Sequence, residues 1–154
     1  MITETATIED ARDILELQRL AYQSEAKIYG DYAIPPLTQT LEGMEDDIGR
    51  QLCLKTTLEG RIVGSVRGVR NGGTCEIGRL IVHPDFQGRG IGTHLMHEIE
   101  RAFTDVERFE LFTGHQSERN IRLYRNLGYA VFKTVEVSEN LQLVFMEKKA
   151  ARVG

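Results

Sequence analysis

Cysteines are scarce, basic residues are outnumbered and long apolar runs are missing, and each shortage removes a class of function. The two cysteines, Cys53 and Cys75, stand 22 positions apart and neither belongs to a Cys-x-x-Cys pair. A disulfide scaffold or a zinc module is therefore not expected, and no metal site is expected at all. Free thiols fit a reducing compartment. Lysine and arginine number 19 against 23 acidic residues, for a formal net charge of −4. Nucleic-acid binding usually needs a basic stripe, so it is set aside as the main role; an acidic protein would rather attract a cationic substrate. No apolar run approaches the roughly 18 residues of a membrane span. The start Met1-Ile2-Thr3-Glu4 has no basic stretch followed by an apolar core, so a signal peptide is not expected. The expectation is a soluble, cytoplasmic protein with no membrane and no nucleic-acid partner. There is no repeat and no low-complexity linker, and 154 residues argue for one domain over 1–154.

What is present alternates between helical and strand periodicity. Thr5 to Ile8 reads as a short first strand. Thr7-Ile8-Glu9-Asp10 has the form of a capping box. Ala11, Ile14, Leu17 and Ala21 follow at helical spacing, and this helix should run to about Gly30. Pro35-Pro36 should impose extended geometry on the next stretch. A short acidic helix is expected over Leu41 to Gly49. Three strands are expected at Gln51 to Leu58, Arg61 to Val69 and Cys75 to Val82, joined by hairpin turns at Glu59-Gly60 and Asn71-Gly72-Gly73. Ile91, Leu95, Ile99 and Phe103 then mark a helix, Phe109 to Thr113 a strand, and Ser117 to Leu127 a second helix closed by Gly128. Tyr129 to Val137 and Leu141 to Lys148 form a last hairpin. The fold class is α/β (α+β), a mixed, mostly antiparallel sheet of about six to seven strands flanked by helices.

The most informative stretch runs from Gly78 to Gly92. A strand ends near Pro84, and Gln87-Gly88-Arg89-Gly90-Ile91-Gly92 follows with three alternating glycines before a helix starts. Glycines let the backbone approach a ligand closely. Free N–H groups and the dipole at a helix N-terminus bind phosphate, and Arg89 adds a counter-charge. A dinucleotide loop is a competing reading, since Gly88-Arg89-Gly90 opens a G-x-G-x-x-G and Glu110 lies about 20 residues on. Thr93 stands where its third glycine is needed, however, and the loop follows a third strand. No Gly-Lys-Ser/Thr occurs, so a P-loop is excluded.

Gln87-x-x-Gly90-x-Gly92 resembles the acetyl-CoA signature Q/R-x-x-G-x-G/A of the GNAT N-acetyltransferases. Arg79-Leu80-Ile81-Val82-His83-Pro84 resembles the strand that precedes it in that family. Asn120-Ile121-Arg122-Leu123-Tyr124-Arg125-Asn126-Leu127-Gly128-Tyr129 is similar to its second block, although here Asn120 and Tyr124 are only four apart. The resemblance covers nearly the whole chain in element order and implies a GNAT-like acyl-CoA N-acyltransferase fold. It implies that Leu80, Ile81 and Val82 splay from the neighbouring strand and meet the pantetheine arm of acetyl-CoA. Gln87, Gly88, Arg89, Gly90, Ile91, Gly92 and Thr93 would hold the pyrophosphate, and Asn120 the pantetheine region. Tyr124 would sit by the coenzyme sulfur as general acid, and a backbone N–H near Val82 would receive the oxyanion. Spacing alone favours a packing role for Tyr124 beside Ile121 and Leu127, and the motif match reverses that preference.

The base is less marked. Glu76, on the strand leading to the loop, is the first candidate, against a reading as a surface carboxylate paired with Arg79 or Arg67. Histidine is a residue type suited to proton transfer near neutral pH, but His83, in a His-Pro dipeptide, reads as structural. On the acceptor side the resemblance points to the first helices and their connection, so Tyr22, Tyr29, Tyr32, Ile34 and Pro35 would line a pocket, unless this loop merely covers the sheet edge. Glu42, Glu45, Asp46 and Asp47 would draw in a cationic amine unless they are merely a solvated helix face. The expected activity is transfer of acetyl from acetyl-CoA to an amine acceptor by direct attack. The alternative is a non-catalytic acyl-CoA sensor or regulatory module on the same fold. Family habit leaves room for a homodimer through the final hairpin.

Overall fold

A computed structural model describes residues 1–151. The chain runs β1 (Ile2–Thr5), α1 (Ala11–Ala21), α2 (Gln23–Tyr29), α3 (Pro35–Thr38), α4 (Leu41–Arg50), β2 (Leu52–Leu58), β3 (Arg61–Asn71), β4 (Thr74–Val82), α5 (Ile91–Ala102), β5 (Arg108–Gly114), α6 (Glu118–Asn126), β6 (Ala130–Glu136) and β7 (Gln142–Lys149). The strands form one seven-stranded sheet in the order β1-β2-β3-β4-β5-β7-β6. All neighbouring pairs are antiparallel except β4 and β5. A parallel pair needs a crossover, and α5 supplies it, with Ile91, Leu95, Met96 and Ile99 buried. The main core joins this helix to β2–β5, β7 and Tyr124 of α6. A smaller core lies under α1 and α4, around Ile14, Leu15, Met44 and Cys53. Among the described residues no helix is long and apolar enough to cross a membrane.

The mixed, mostly antiparallel sheet flanked by helices is as expected, and several local expectations shift. The first strand lies at Ile2–Thr5 rather than Thr5 to Ile8, because Thr7 starts a 3-10 turn over Ile8–Asp10, with Asp10 returning the capping-box bond to the Thr7 N–H at 2.9 Å. The single helix expected from Ala11 to Gly30 is two, meeting at Tyr22. Pro35 and Pro36 open α3 instead of forcing an extended segment: they take its first two positions, where a missing N–H costs nothing. Both hairpin turns form, with positive φ at Glu59 (52°), Gly60 (77°) and Gly72 (62°).

Two irregularities shape the centre. β4 pairs with β5 only at Thr74, Cys75 and Glu76, so beyond Glu76 the two strands part. In the same stretch the β3–β4 register slips between Ser65↔Ile81 and Arg67↔Gly78. The extra residue is accommodated with Arg79 at φ +51°, a left-handed conformation unusual outside glycine. The split and the bulge open the middle of the sheet.

Candidate active site

Two cavities fill the opening. The first, a cleft of about 410 Å³, lies between the end of β4, the start of α5 and the start of α6. Leu80, Ile81, Val82, Gln87, Gly88, Gly90, Ile91, Gly92, Thr93 and Asn120 line it. After β4, His83 accepts the Asp85 N–H at 3.1 Å and Pro84–Phe86 make a 3-10 turn, so the chain reaches the glycines in a fixed direction. Gly88 (φ +78°) and Gly90 (φ +81°) then take left-handed turns, and α5 begins with no side-chain cap. The first helical N–H groups of α5, from Ile91 to Thr93, precede the first i→i−4 bond, His94 N–H to Gly90 O at 3.0 Å. They are orphan donors at the positive end of a helix dipole, which suits an anion such as a pyrophosphate.

Arg89 does not line this cleft. Its guanidinium lies over the Phe86 ring, 4.9 Å from the centroid. Arg119 of α6 is the cation on this cleft, and it donates to Gln87 Oε1.

The second cavity, of about 330 Å³, lies on the other side of the split. Tyr22, Tyr29, Ile34, Pro35 and Tyr124 line it, with Ile77 to Leu80 of β4, Leu111 to Gly114 of β5, and Val137, Leu141 and Leu143 of the final hairpin. Most of these walls are apolar. Tyr29 is fixed from three sides: its hydroxyl bonds Ser117 Oγ at 2.7 Å and accepts the Gln116 N–H at 3.0 Å, and its ring lies against Gly114. Tyr32 is not part of the pocket. It is 59 % exposed and lines neither cavity, because the chain turns at Gly30 and Asp31 before returning at Ile34.

The two cavities share a wall made by Tyr22, Glu25, Leu80 and Asn120. Tyr124 stands beyond it, buried, with its ring edge toward Tyr129 at 6.1 Å. Burial raises the Tyr124 phenol well above its ordinary pKa, and Tyr22 and Glu25 push in the same direction; the hydroxyl therefore keeps its proton at neutral pH. Glu25 accepts a bond from Ser117 Oγ at 2.5 Å, and the Asn120 amide lies 3.4 Å from its other oxygen.

Glu76, the first candidate for the base, is elsewhere. It sits at the closed end of β4, opposite Val69 and Glu110, accepts a bond from Asn71 Nδ2 at 3.1 Å and lines neither cavity. It pairs with neither Arg79 nor Arg67. The acidic residues Glu42, Glu45, Asp46 and Asp47 of α4 line neither cavity either. Asp47 is held instead by Arg67 and Gln39, each at 2.6 Å. Sequence reading missed Glu25 and Arg79. Glu25 is one acid on an amphipathic helix, and the aim of Arg79 depends on a bulge that has no composition signal.

Residues 11–129 match the acetyltransferase (GNAT) family. Over 133 residues the chain is 29% identical to the UPF0157 protein YqkA of Bacillus subtilis, covering 86% of this chain and 38% of that protein. It is 30% identical over 92 residues to an acetyltransferase of Pectobacterium atrosepticum, covering 58% of this chain and 65% of that one. The chain thus spans less than two thirds of the length of both relatives. Its fold superposes on the PaiA N-acetyltransferase of Thermoplasma acidophilum in complex with coenzyme A, with a TM-score of 0.80 at 20% identity, covering 97% of this chain and 99% of that one. The chain belongs to the acetyltransferase (GNAT) family.

Proposed function

We propose that this member of the GNAT family is an acetyl-CoA-dependent N-acetyltransferase, with the coenzyme in the cleft along β4 and α5 and the acceptor amine in the pocket beyond. The observation that carries the reading is the shared wall. A phosphate-suited loop at one end and an apolar pocket at the other meet at Tyr22, Glu25, Leu80 and Asn120, with Tyr124 alongside. The unpaired side of β4, Leu80 to Val82, offers its backbone to a pantetheine arm, and Asn120 is in reach of the same arm.

The chemistry follows from these positions. An amine attacks a thioester only when neutral, and a lysine-like amine has a reference pKa of about 10.4, so a proton must leave first. Glu25 is the carboxylate at the meeting point and takes this proton, directly or through one water; Glu76 has no comparable support. The nitrogen then attacks the thioester carbonyl, and a backbone N–H near Val82 receives the oxyanion. The C–S bond breaks as the intermediate collapses, and Tyr124 gives its proton to the departing thiolate. The attacking nitrogen, which carries a surplus proton after C–N bond formation, returns that proton to the phenolate, so the amide leaves neutral and Tyr124 is restored.

A thiol-release assay with acetyl-CoA across an amine panel tests the activity. Release that depends on the amine is expected. Coenzyme binding without release for any amine would favour the acyl-CoA sensor. Glu25→Gln should lower kcat/KM roughly 10²–10⁴-fold if it is the base, and the acidic limb of the pH profile should go with it. Retention of that limb would return the role to another group. The buried free thiols Cys53 and Cys75 support a reducing compartment such as the cytoplasm. Exposed Phe132, Val135 and Val137 on the final hairpin support self-association there.

A further inference from the structure

The acceptor pocket contains two charges of opposite sign that have no ion-pair partners among the described residues. Arg79 lines it, and the Arg79 Nη1 is shut off from solvent with no hydrogen-bond partner among the described residues. A buried donor without a partner is costly, and the bulge that places it holds a non-glycine residue at φ +51°, a strained state that persists where function needs it. The neighbouring acid does not neutralise Arg79. Asp47 Oδ2 already accepts from Arg67 and from Gln39, each at 2.6 Å. Asp47 makes no ion pair with Arg79 among the described residues, so the Arg79 charge has no direct carboxylate partner. Burial lowers the pKa of Arg79, as expected of a cation lacking a partner. Across the same cavity Glu25 is bonded, among the described residues, only by the neutral groups of Ser117 and Asn120. The remaining walls, including Ile34, Pro35, Leu111 and Leu143, are apolar.

We propose that the acceptor is a zwitterion with an apolar body, an apolar amino acid or a close amino-carboxylic relative, whose carboxylate is bound by Arg79 while its nitrogen lies at Glu25 and Tyr124. This deepens the acetyltransferase reading and rests on it. The carboxylate satisfies the orphan guanidinium, which is built to receive planar anions. The ammonium meets Glu25 and passes its proton there. Polyamines and aminoglycosides, which carry no anion, would leave the unpartnered Arg79 guanidinium facing added positive charge.

The test compares L-leucine and L-phenylalanine with L-leucinamide and phenethylamine as acceptors, in the wild type and in Arg79→Gln. Wild-type kcat/KM is expected to favour the carboxylates by about 10–100-fold, the range for hydrogen bonds to a charged group. Arg79→Gln should abolish that preference through KM while leaving the KM for acetyl-CoA unchanged, and Arg79→Lys should restore part of it. Equal rates for acids and neutral amines in the wild type would overturn the proposal, and so would transfer to polyamines only. The wild-type comparison decides even if Arg79→Gln does not fold. If no acceptor releases thiol, calorimetric titration of L-phenylalanine into the CoA-loaded protein separates the two claims. Binding that Arg79→Gln abolishes would uphold the anion site and remove the transferase reading. No binding would overturn the site as well.

Discussion

The cleft along β4 and α5 and the pocket beyond it, proposed to hold coenzyme and acceptor, lie against the same strand but are built from different materials. The cleft is made chiefly of backbone: orphan N–H groups, two left-handed glycines and the unpaired side of β4. The pocket is made of side chains from α2, α3, β4, β5, α6 and the final hairpin. Backbone recognition tolerates almost any side chain provided the glycines remain, so it suits a donor common to many enzymes. Side-chain recognition changes with each substitution, so it suits an acceptor particular to one. A mutation in one cavity should therefore leave the other almost untouched.

The largest effect should come where the cavities meet. Tyr124→Phe removes a hydroxyl and little volume, so kcat should fall by roughly 10²–10⁴-fold with acetyl-CoA binding unchanged, as read by steady-state kinetics and calorimetry. An unchanged kcat with the true acceptor would reduce Tyr124 to packing. In the cleft, Gly90→Val puts a β-branched residue at φ +81°, with strain of about 1–3 kcal/mol. Acetyl-CoA affinity should drop about 10–100-fold while acceptor affinity holds; equal losses for both ligands would break the division. In the pocket, a Cβ on Gly114 would come 2.0 Å from the Tyr29 hydroxyl. Gly114→Ala should cost about 1–3 kcal/mol of stability as the core is overpacked. It should also raise the acceptor KM by displacing Tyr29, with the acetyl-CoA KM held.

The smallest effect belongs to a group outside both cavities. Burial, with Glu100 and Glu76 adding, pushes the Cys75 thiol up to about 12, so almost no thiolate exists at pH 8. Alkylation should be slow in the native protein and fast in urea, and acceptor binding should change it only through global stability. Rapid native labelling would show that the core opens locally.

The same division explains what could be read in advance. Glycine spacing and strand-to-helix order are local, so Gln87 to Gly92 and the following helix were legible from residues alone. The β2–β3–β4 meander was legible through turn residues such as Glu59-Gly60 and Asn71-Gly72, whereas the placing of β5 between β4 and β7 has no such local signal. The pocket was half legible: Tyr22, Tyr29 and Ile34 reach it, whereas Tyr32 turns outward after Gly30. Glu25 and Arg79 were hidden because their placement depends on tertiary features, the joint at Tyr22 between two helices and the bulge between β3 and β4. Glu76 misled for the opposite reason, since sequence proximity to the loop does not reveal which end of β4 is closed.

The central claim is that the two cavities meet at a single reacting point, and a crystal structure with coenzyme A bound tests it most directly. The account predicts the pyrophosphate on the N–H groups of residues 87–93 and the sulfur within about 3.5 Å of the Tyr124 hydroxyl, facing Glu25. A sulfur that ended anywhere else, with Tyr124 and Glu25 out of reach, would contradict it.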